Sequence, residues 1–255
     1  MVASPLPVEI AVQDAAGTRI ALEAGAARIE LCQALGLGGL TPSLGLVEAA
    51  VAAARDAGAA GFVHVLVRPR GGGFVYDADE LDTVLRDIRA VVAAGADGVV
   101  VGALTDAGAL DLDAIARFVD AAGDADVTVH RAVDASGDPL GSVAALAAEG
   151  RGVRRVLTSG GAPDCRAGLG VLAEMTAIAA GRLEIMAGGG VKIDDIAALV
   201  GAGVDAVHLS ARGRALRGGA SGPGGGVDGF DETDAVLAEA AVAAARAVPP
   251  ATPLG

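Results

Sequence analysis

An apolar strand-like segment followed by an Ala-rich helical segment recurs along this chain about every 25 to 35 residues. The predicted strands are Val8–Val12, Arg28–Cys32, Phe62–Arg68, Gly98–Leu104, Val127–Val133, Arg155–Ser159, Leu183–Ala187 and Ala206–Ala211. The predicted helices are Ala15–Ala24, Pro42–Ala57, Asp79–Ala94, Asp111–Ala122, Pro139–Glu149, Ala167–Ala180, Ile193–Val200 and Asp231–Ala247. Eight such units predict an α/β fold, a single (β/α)8 TIM barrel over residues 1–255, with an open doubly wound sheet as the alternative.

Composition limits the class of partner that this chain can bind. Its formal net charge of −13 and its 2% aromatic content disfavour nucleic acid, which attracts basic surfaces and stacks on aromatic rings. No apolar run reaches the length of a membrane span, and residues 1–7 lack the pattern of a signal peptide. Two cysteines are too few for a disulfide framework and fit a reduced compartment. We therefore predict a cytoplasmic protein that binds neither nucleic acid nor membrane.

Polar residues lie in or at the ends of several predicted strands, where burial by the next helix favours apolar side chains. Glu9, Glu30, Arg68 and His130 are the clearest cases, and His208 shares a strand face with Ser210. Because active sites of TIM barrels lie at the carboxyl ends of the strands, this pattern predicts one site there. A salt-bridge network that fills the barrel centre is the alternative.

Two charged segments extend this candidate site. His130-Arg131-Ala132-Val133-Asp134 predicts an imidazole near Asp134, which either orients the ring or neutralises Arg131. Arg68-Pro69-Arg70 precedes three glycines and offers two guanidinium groups to a carboxylate or phosphate, unless it is a solvated surface loop. The predicted catalytic set is Glu9, Glu30, Arg68, His130 and Asp134.

Two glycine clusters directly follow predicted strands. Glycines let backbone N–H groups approach an anion closely, and barrels of this type often bind phosphate in their last strand-to-helix loops. Tight turns that need glycine for backbone geometry alone are the alternative. With Arg70, the predicted anion-binding residues are Ser159, Gly160, Gly161, Gly188, Gly189 and Gly190.

The Gly-rich segment Gly213–Gly229 departs from the repeating pattern. It lies between the last predicted strand and the last predicted helix. Such a segment is either a disordered surface loop or a mobile lid over a site.

Metal ligation has weaker support from the residues. Copper(I) prefers at least two soft ligands, and the chain has neither a Cys-x-x-Cys nor a Met-rich run. Cys32 is the candidate ligand, and it could instead be a thiolate nucleophile or a small buried filler.

Seven segments together resemble the copper homeostasis protein CutC family, in order and spacing, over about residues 8–212. They are Ala27–Cys32, Gly38–Ser43, Val67–Gly72, Gly95–Val100, Val129–Ala132, Val156–Gly161 and Met186–Gly190. The resemblance implies a cytoplasmic TIM barrel, often a homo-oligomer, ascribed to copper tolerance or trafficking. Copper(I) is the cofactor or cargo that it suggests.

One position departs from the family pattern. The resemblance ties copper binding to cysteines in the first two strands, and Cys32 matches the second of them. Ala11 stands at the first. The implied pair of soft ligands is therefore incomplete in this chain.

Three functions remain open on these grounds. The first is copper ion binding or trafficking, with Cys32 as ligand. The second is an enzyme of the lyase, isomerase or hydrolase class that acts on a small phosphorylated or carboxylated substrate. The third is a non-catalytic scaffold in which the polar strand ends only stabilise the barrel.

Overall fold

Eight parallel strands close into a barrel in sequence order, and the computed structural model describes residues 5–150, 152–215 and 229–248. The strands are β1 (Val8–Val12), β2 (Arg28–Leu31), β3 (Val63–Leu66), β4 (Gly98–Val101), β5 (Asp126–Val129), β6 (Val153–Thr158), β7 (Glu184–Gly188) and β8 (Ala206–Leu209). β8 pairs with β1 in parallel register, with Glu9 beside His208. The predicted TIM barrel is confirmed.

A helix follows each strand and covers the outside of the barrel. The helices are α1 (Ala15–Ala24), α2 (Leu44–Asp56), α3 (Ala78–Ala93), α4 (Leu112–Ala122), α5 (Pro139–Glu149), α6 (Leu169–Ala179), α7 (Ile196–Gly201) and α8 (Ala235–Ala247). Within the described ranges, every helix is too short or too polar to cross a membrane.

The main core lies between the barrel and its helices, because alternate strand residues point outward into that layer. Ile10, Ile29 and Val99 belong to this layer and are fully buried. Two smaller clusters, Cys32 with Leu66 and Val100, and Leu157 with Met186 and Ala206, are separate from the main core. Strand parity assigns these clusters to the barrel interior, together with Glu9, Glu30 and His208.

Several strands end earlier than the hydrophobic pattern predicts. β4 stops at Val101 instead of Leu104, and β5 stops at Val129 instead of Val133. Leu104 and Val133 remain buried after the backbone has left the ladder, so their apolar character reflects the loop layer above the barrel. One helix begins later than predicted: α2 starts at Leu44 with Ser43 as its cap, so Pro42 precedes the helix. Pro139, in contrast, lies in the first turn of α5.

A two-stranded antiparallel ribbon replaces the start of the last predicted helix. β9 (Arg212–Ala215) pairs with β10 (Phe230–Thr233), and α8 begins only after the capping residue Asp234. The prediction that a helix starts at Asp231 is therefore wrong. β9 overlaps the start of the predicted Gly213–Gly229 loop and β10 begins directly after its end, while residues 216–228 of that loop lie outside the described residues.

Candidate active site

Polar strand ends from opposite sides of the barrel line one cavity of about 270 Å³, which we call the strand-end cavity. The residues that matter most for its chemistry are Glu30, Arg68, His130, Arg131, Gly189 and His208. They come from or directly follow β2, β3, β5, β7 and β8. Three of the five predicted catalytic residues therefore line the same space. Glu9 and Asp134 do not line it, but each binds a residue that does.

Glu9 is a fully buried carboxylate that orients His208. One carboxylate oxygen accepts from Arg28 Nε at 2.6 Å, and the other lies 2.8 Å from His208 Nδ1. Burial opposes ionisation, but the hydrogen bond from His208 and the charges of Arg28 and His208 outweigh it. The pKa of Glu9 is consequently held well below its usual range. Because Glu9 holds Nδ1, His208 Nε2 is left as the nitrogen that lies toward Glu30.

Glu30 has the surroundings of a proton-transfer group. Its carboxyl makes no hydrogen bond to the residues that the structure describes, and its nearest cationic atom is His208 Nε2 at 3.8 Å. Burial, and secondarily the charge of Glu9, raise the pKa of Glu30 to about 7 despite the opposing charge of His208. Although burial lowers the pKa of an imidazole, the charges of Glu30 and Glu9 raise that of His208 above its usual value.

Arg68 fixes the loops around the cavity mouth. Its Nη1 donates to the carbonyls of Leu37, Gly38 and Gly39 at 3.2–3.3 Å, and its Nη2 donates to Gly72 at 2.5 Å. These terminal nitrogens are therefore engaged by backbone oxygens and do not form the free guanidinium fork that the sequence suggests. Arg68 Nε is buried and has no hydrogen-bond partner among the described residues.

His130 is a neutral imidazole with a fixed tautomer. Its Nδ1 accepts from the Ala132 backbone N–H at 3.1 Å, which places the ring proton on Nε2. Burial and the nearby Arg68 charge lower the pKa of His130 to about 3. The Phe74 ring packs against the imidazole with 4.9 Å between centroids. Asp134 does not orient this histidine, which corrects one of the two predicted roles for that carboxylate.

Asp134 instead fills the first glycine cluster. Its carboxylate accepts from the backbone N–H groups of Ser159 and Gly161 and from the side-chain hydroxyls of Thr158 and Ser159. It also accepts from Arg131 Nε. An internal carboxylate thus already occupies these donors, and Gly160 N–H donates to the Thr158 hydroxyl. Because these donors already have internal acceptors, the structure favours the tight-turn alternative for Ser159, Gly160 and Gly161 over the predicted binding of an external anion, and Asp134 pairs with Arg131.

The second glycine cluster has free donors at the cavity wall. The backbone N–H groups of Gly189, Gly190 and Val191 donate no hydrogen bond to any described residue. The Arg131 guanidinium packs on Gly189 so closely that a Cβ there would lie 2.8 Å from Cζ, and its Nη2 donates to Ser159 Oγ at 3.0 Å. Gly188, the last residue of β7, is required by packing instead, since a Cβ would lie 2.2 Å from Leu157.

Arg70 lies outside the strand-end cavity, contrary to its predicted anion-binding role. Its guanidinium pairs with Glu80 and donates to the carbonyls of Gly71, Gly73 and Val75. Glu80 also completes a capping box with Asp77 at the start of α3. These contacts fold the loop after β3 back on itself, so its arginines hold the loop together.

Comparison with known proteins identifies the family. The model of the CutC family matches residues 6–213. A family protein CutC of Xylella fastidiosa (strain 9a5c) is 41% identical over 209 residues, which cover 80% of this chain and 74% of the relative. One of Agrobacterium fabrum (strain C58 / ATCC 33970) is 42% identical over 196 residues, covering 77% and 75%. The chain belongs to the CutC family.

Solved structures agree with this assignment and with the fold. A structure described as a candidate copper homeostasis protein CutC from Streptococcus agalactiae has a TM-score of 0.73 at 30% identity. It is matched over 80% of this chain and 97% of its own. Thiamine phosphate pyrophosphorylase from Pyrococcus furiosus has a TM-score of 0.57 at 17% identity, covering 94% and 95% of the two chains. The second likeness shows the barrel fold alone.

The surroundings of Cys32 do not fit a copper(I) ligand in this CutC protein. Its thiol is fully buried beside Leu66 and Val100 and lies 3.7 Å from the Val12 carbonyl. Burial and the charge of Glu30 raise the thiol pKa far above its usual range, so the thiolate that binds metal is disfavoured. Among the described residues, no three His, Cys, Asp or Glu side chains are grouped as metal ligands.

Sequence reasoning missed three side chains that shape the cavity. His208 shares a strand face with Ser210, and this parity is the signal that points it to the barrel interior. The sequence indicates Arg131 only as a partner for Asp134. Phe74 carries no polar signal in the sequence, and its position on Arg68 and His130 depends on how the glycine loop folds back.

Proposed function

We propose that this CutC-family protein is an enzyme of the isomerase or lyase class that moves a proton on a small carboxylated or phosphorylated substrate. The observation that carries this proposal is Glu30, a buried carboxyl without a hydrogen bond that borders the strand-end cavity. Titratable groups whose surroundings shift their pKa and that face a cavity are concentrated at active sites.

Glu30 is the proton acceptor in this proposal. A general base works best when its pKa lies near the working pH, and the pKa of Glu30 is raised to about 7. His208 stands beside it as the paired acid, held by Glu9 through Nδ1 and raised in pKa by both carboxylates. The pair resembles other sites in which neighbouring titratable groups are tuned to opposite roles.

The cavity wall formed by the loops after β5 and β7 supports an anionic group on the substrate. Arg131 lies against Gly189 and contributes positive charge, and the unpaired N–H groups of Gly189, Gly190 and Val191 offer backbone donors. Asp134 neutralises one edge of Arg131 but leaves Nη1 without a partner among the described residues. We assign the carboxylate or phosphate of the substrate to this wall.

A Schiff-base mechanism is not part of the proposal. Lys192 is the only lysine in the sequence, and it is not among the residues that line the strand-end cavity. The chemistry is therefore carried by carboxyl, imidazole and guanidinium groups. None of these groups requires copper, whose fit to Cys32 is opposed by the apolar burial of that thiol.

Deuterium exchange tests the proposed proton transfer directly. Small carboxylates and phosphate esters with acidic C–H groups are incubated with the protein in D2O, and deuterium uptake is followed by proton NMR. We expect the wild type to exchange at least one compound and Glu30→Gln to be slower by about 100-fold or more. The wild-type rate should rise with pH up to about 7 and then level off, because only ionised Glu30 accepts a proton.

Glu48→Gln is the matched control, because Glu48 is an exposed carboxylate on α2 outside the cavity. It should exchange at the wild-type rate. Equal rates in wild type and Glu30→Gln, or no exchange of any compound by the wild type, would contradict the proposal.

A further inference from the structure

Two buried N–H donors without partners lie in the wall of the strand-end cavity. They are Arg68 Nε and His130 Nε2, and neither has a hydrogen-bond partner among the described residues. Both side chains line the cavity and both pack on Phe74: the Arg68 Cζ and the His130 ring centroid each lie 4.9 Å from the Phe74 centroid. A buried donor without an acceptor is destabilising, so two of them on side chains that pack on the same Phe74 ring require an explanation.

Both donors are held rigidly by their other hydrogen bonds. The four backbone carbonyls that bind the Nη atoms of Arg68 fix its guanidinium plane. The Ala132 N–H fixes the His130 ring, whose Nδ1 and Cε1 edge lies against Gly102. A Cβ on Gly102 would approach both of those atoms to 2.6 Å, which shows how closely this edge packs on the backbone. The opposite edge of the ring, with Nε2 and Cδ2, is therefore the one that can face the cavity.

We infer that Arg68 Nε–H and His130 Nε2–H together receive a carbonyl oxygen of the substrate, which makes the substrate a small carbonyl compound that also bears an anionic group. Fixed donors aimed at an oxygen that gains negative charge are the usual means of stabilising such a transition state. The low pKa of His130 supports this role, because a neutral imidazole with its proton on Nε2 donates without a change in charge.

This inference rests on the proposed function, and it specifies the reaction. Glu30 removes the proton from the carbon next to the carbonyl group. The C–H electron pair forms a carbon–carbon double bond, and the carbonyl π pair moves onto oxygen to give an enolate. The two donors hold that oxygen until Glu30 returns a proton to the same carbon, which is the exchange followed in D2O, or until His208 as the paired acid protonates another atom of the enolate, which completes the isomerisation. No oxidant, reductant or metal is needed for this step.

Ligand pairs that differ only at the carbonyl group test the inference. Hydroxyacetone phosphate is compared with propyl phosphate, and acetoacetate with butyrate, by calorimetric titration, because a methylene group in place of the carbonyl cannot accept a hydrogen bond. We expect the wild type to bind the ketone of at least one pair about tenfold more tightly than its methylene analogue, the effect of losing one buried hydrogen bond. In His130→Leu this preference should shrink to about twofold or less.

Glu30→Gln separates this inference from the proposed function. It should abolish deuterium exchange yet keep the preference for the ketone, because it leaves both donors in place. Exchange that depends on Glu30, together with no ketone preference in the wild type or an undiminished one in His130→Leu, would overturn the inference while the proposed function stands.

The tautomer of His130 gives a second test that needs no variant. Nitrogen-15 NMR of the wild type should show a neutral ring protonated on Nε2 throughout the physiological pH range. A ring protonated on Nδ1, or one that titrates near the ordinary histidine pKa of about 6.5, would overturn the inference.

Discussion

Glu9 and Glu30 are buried carboxyls on neighbouring strands, yet their surroundings shift their pKa values in opposite directions. Glu9 accepts hydrogen bonds on both oxygens, from Arg28 and His208, and these donors compensate its burial. Glu30 has the same His208 only at 3.8 Å and no hydrogen bond within the described ranges. At the residue scale, the number of donors decides which carboxyl is structural and which can exchange a proton.

Cys32 provides a prediction at the same scale. Its thiol is fully buried among apolar side chains and its pKa is raised, so we expect no copper(I) binding that depends on it. Titration of the reduced wild type and of Cys32→Ser with copper(I) against a competing chelator should give the same result. If the wild type binds one equivalent of copper(I) and Cys32→Ser binds none, Cys32 is a copper(I) ligand and the expectation is wrong. Cys165→Ser, which alters the other buried cysteine, is the control.

At the scale of elements, the loop after β5 is fastened to the loop after β6 by Asp134. The carboxylate accepts from backbone and hydroxyl donors of residues 158–161 and from Arg131. Hydrogen bonds to a charged group stabilise more than neutral ones. One side chain therefore sets both the path of the glycine loop and the orientation of Arg131 beside Gly189.

Replacement of Asp134 by Ala should destabilise the protein strongly. Removing one partner of a buried charged network leaves its other members unsatisfied, so we expect a loss of about 3 kcal/mol or more in the free energy of unfolding. Urea unfolding measures this loss. Asp120→Ala, at an exposed carboxylate of α4, should change the free energy by less than about 0.5 kcal/mol. Equal stability of the two variants would rule out the fastening role of Asp134.

Elements could be predicted from the sequence where a local pattern determines them. The apolar runs and the Ala-rich helices between them located all eight strands and all eight helices of the barrel. Their ends were less predictable, because residues such as Leu104 and Val133 are buried by the loop layer outside the strand ladder. The β9–β10 ribbon lacked a pattern of its own, since its strands flank a Gly-rich segment and are partly exposed.

At the scale of the whole molecule, barrel closure creates the site. Glu9 and His208 are 199 residues apart in sequence and meet only because β8 pairs with β1. Strand parity predicts that Glu9, Glu30, Arg68 and His130 converge. The last three line one cavity, whereas Glu9 does not line it and binds His208 instead. Parity could not show that Asp134 would fill one glycine cluster, or that Arg70 would turn toward Glu80, because both depend on loop conformation.

The proposed chemistry depends most on Glu30, which we infer to be a cavity carboxyl whose pKa lies near neutrality. Carbon-13 NMR of the glutamate side-chain carboxyls measures this pKa in the folded protein, and Glu30→Gln assigns the signal. We predict that the Glu30 signal titrates with a midpoint of about 7, because burial and the charge of Glu9 disfavour its ionised form. A midpoint near the ordinary value of 4.5 would contradict the account, since Glu30 would then be an ordinary ionised carboxylate at neutral pH.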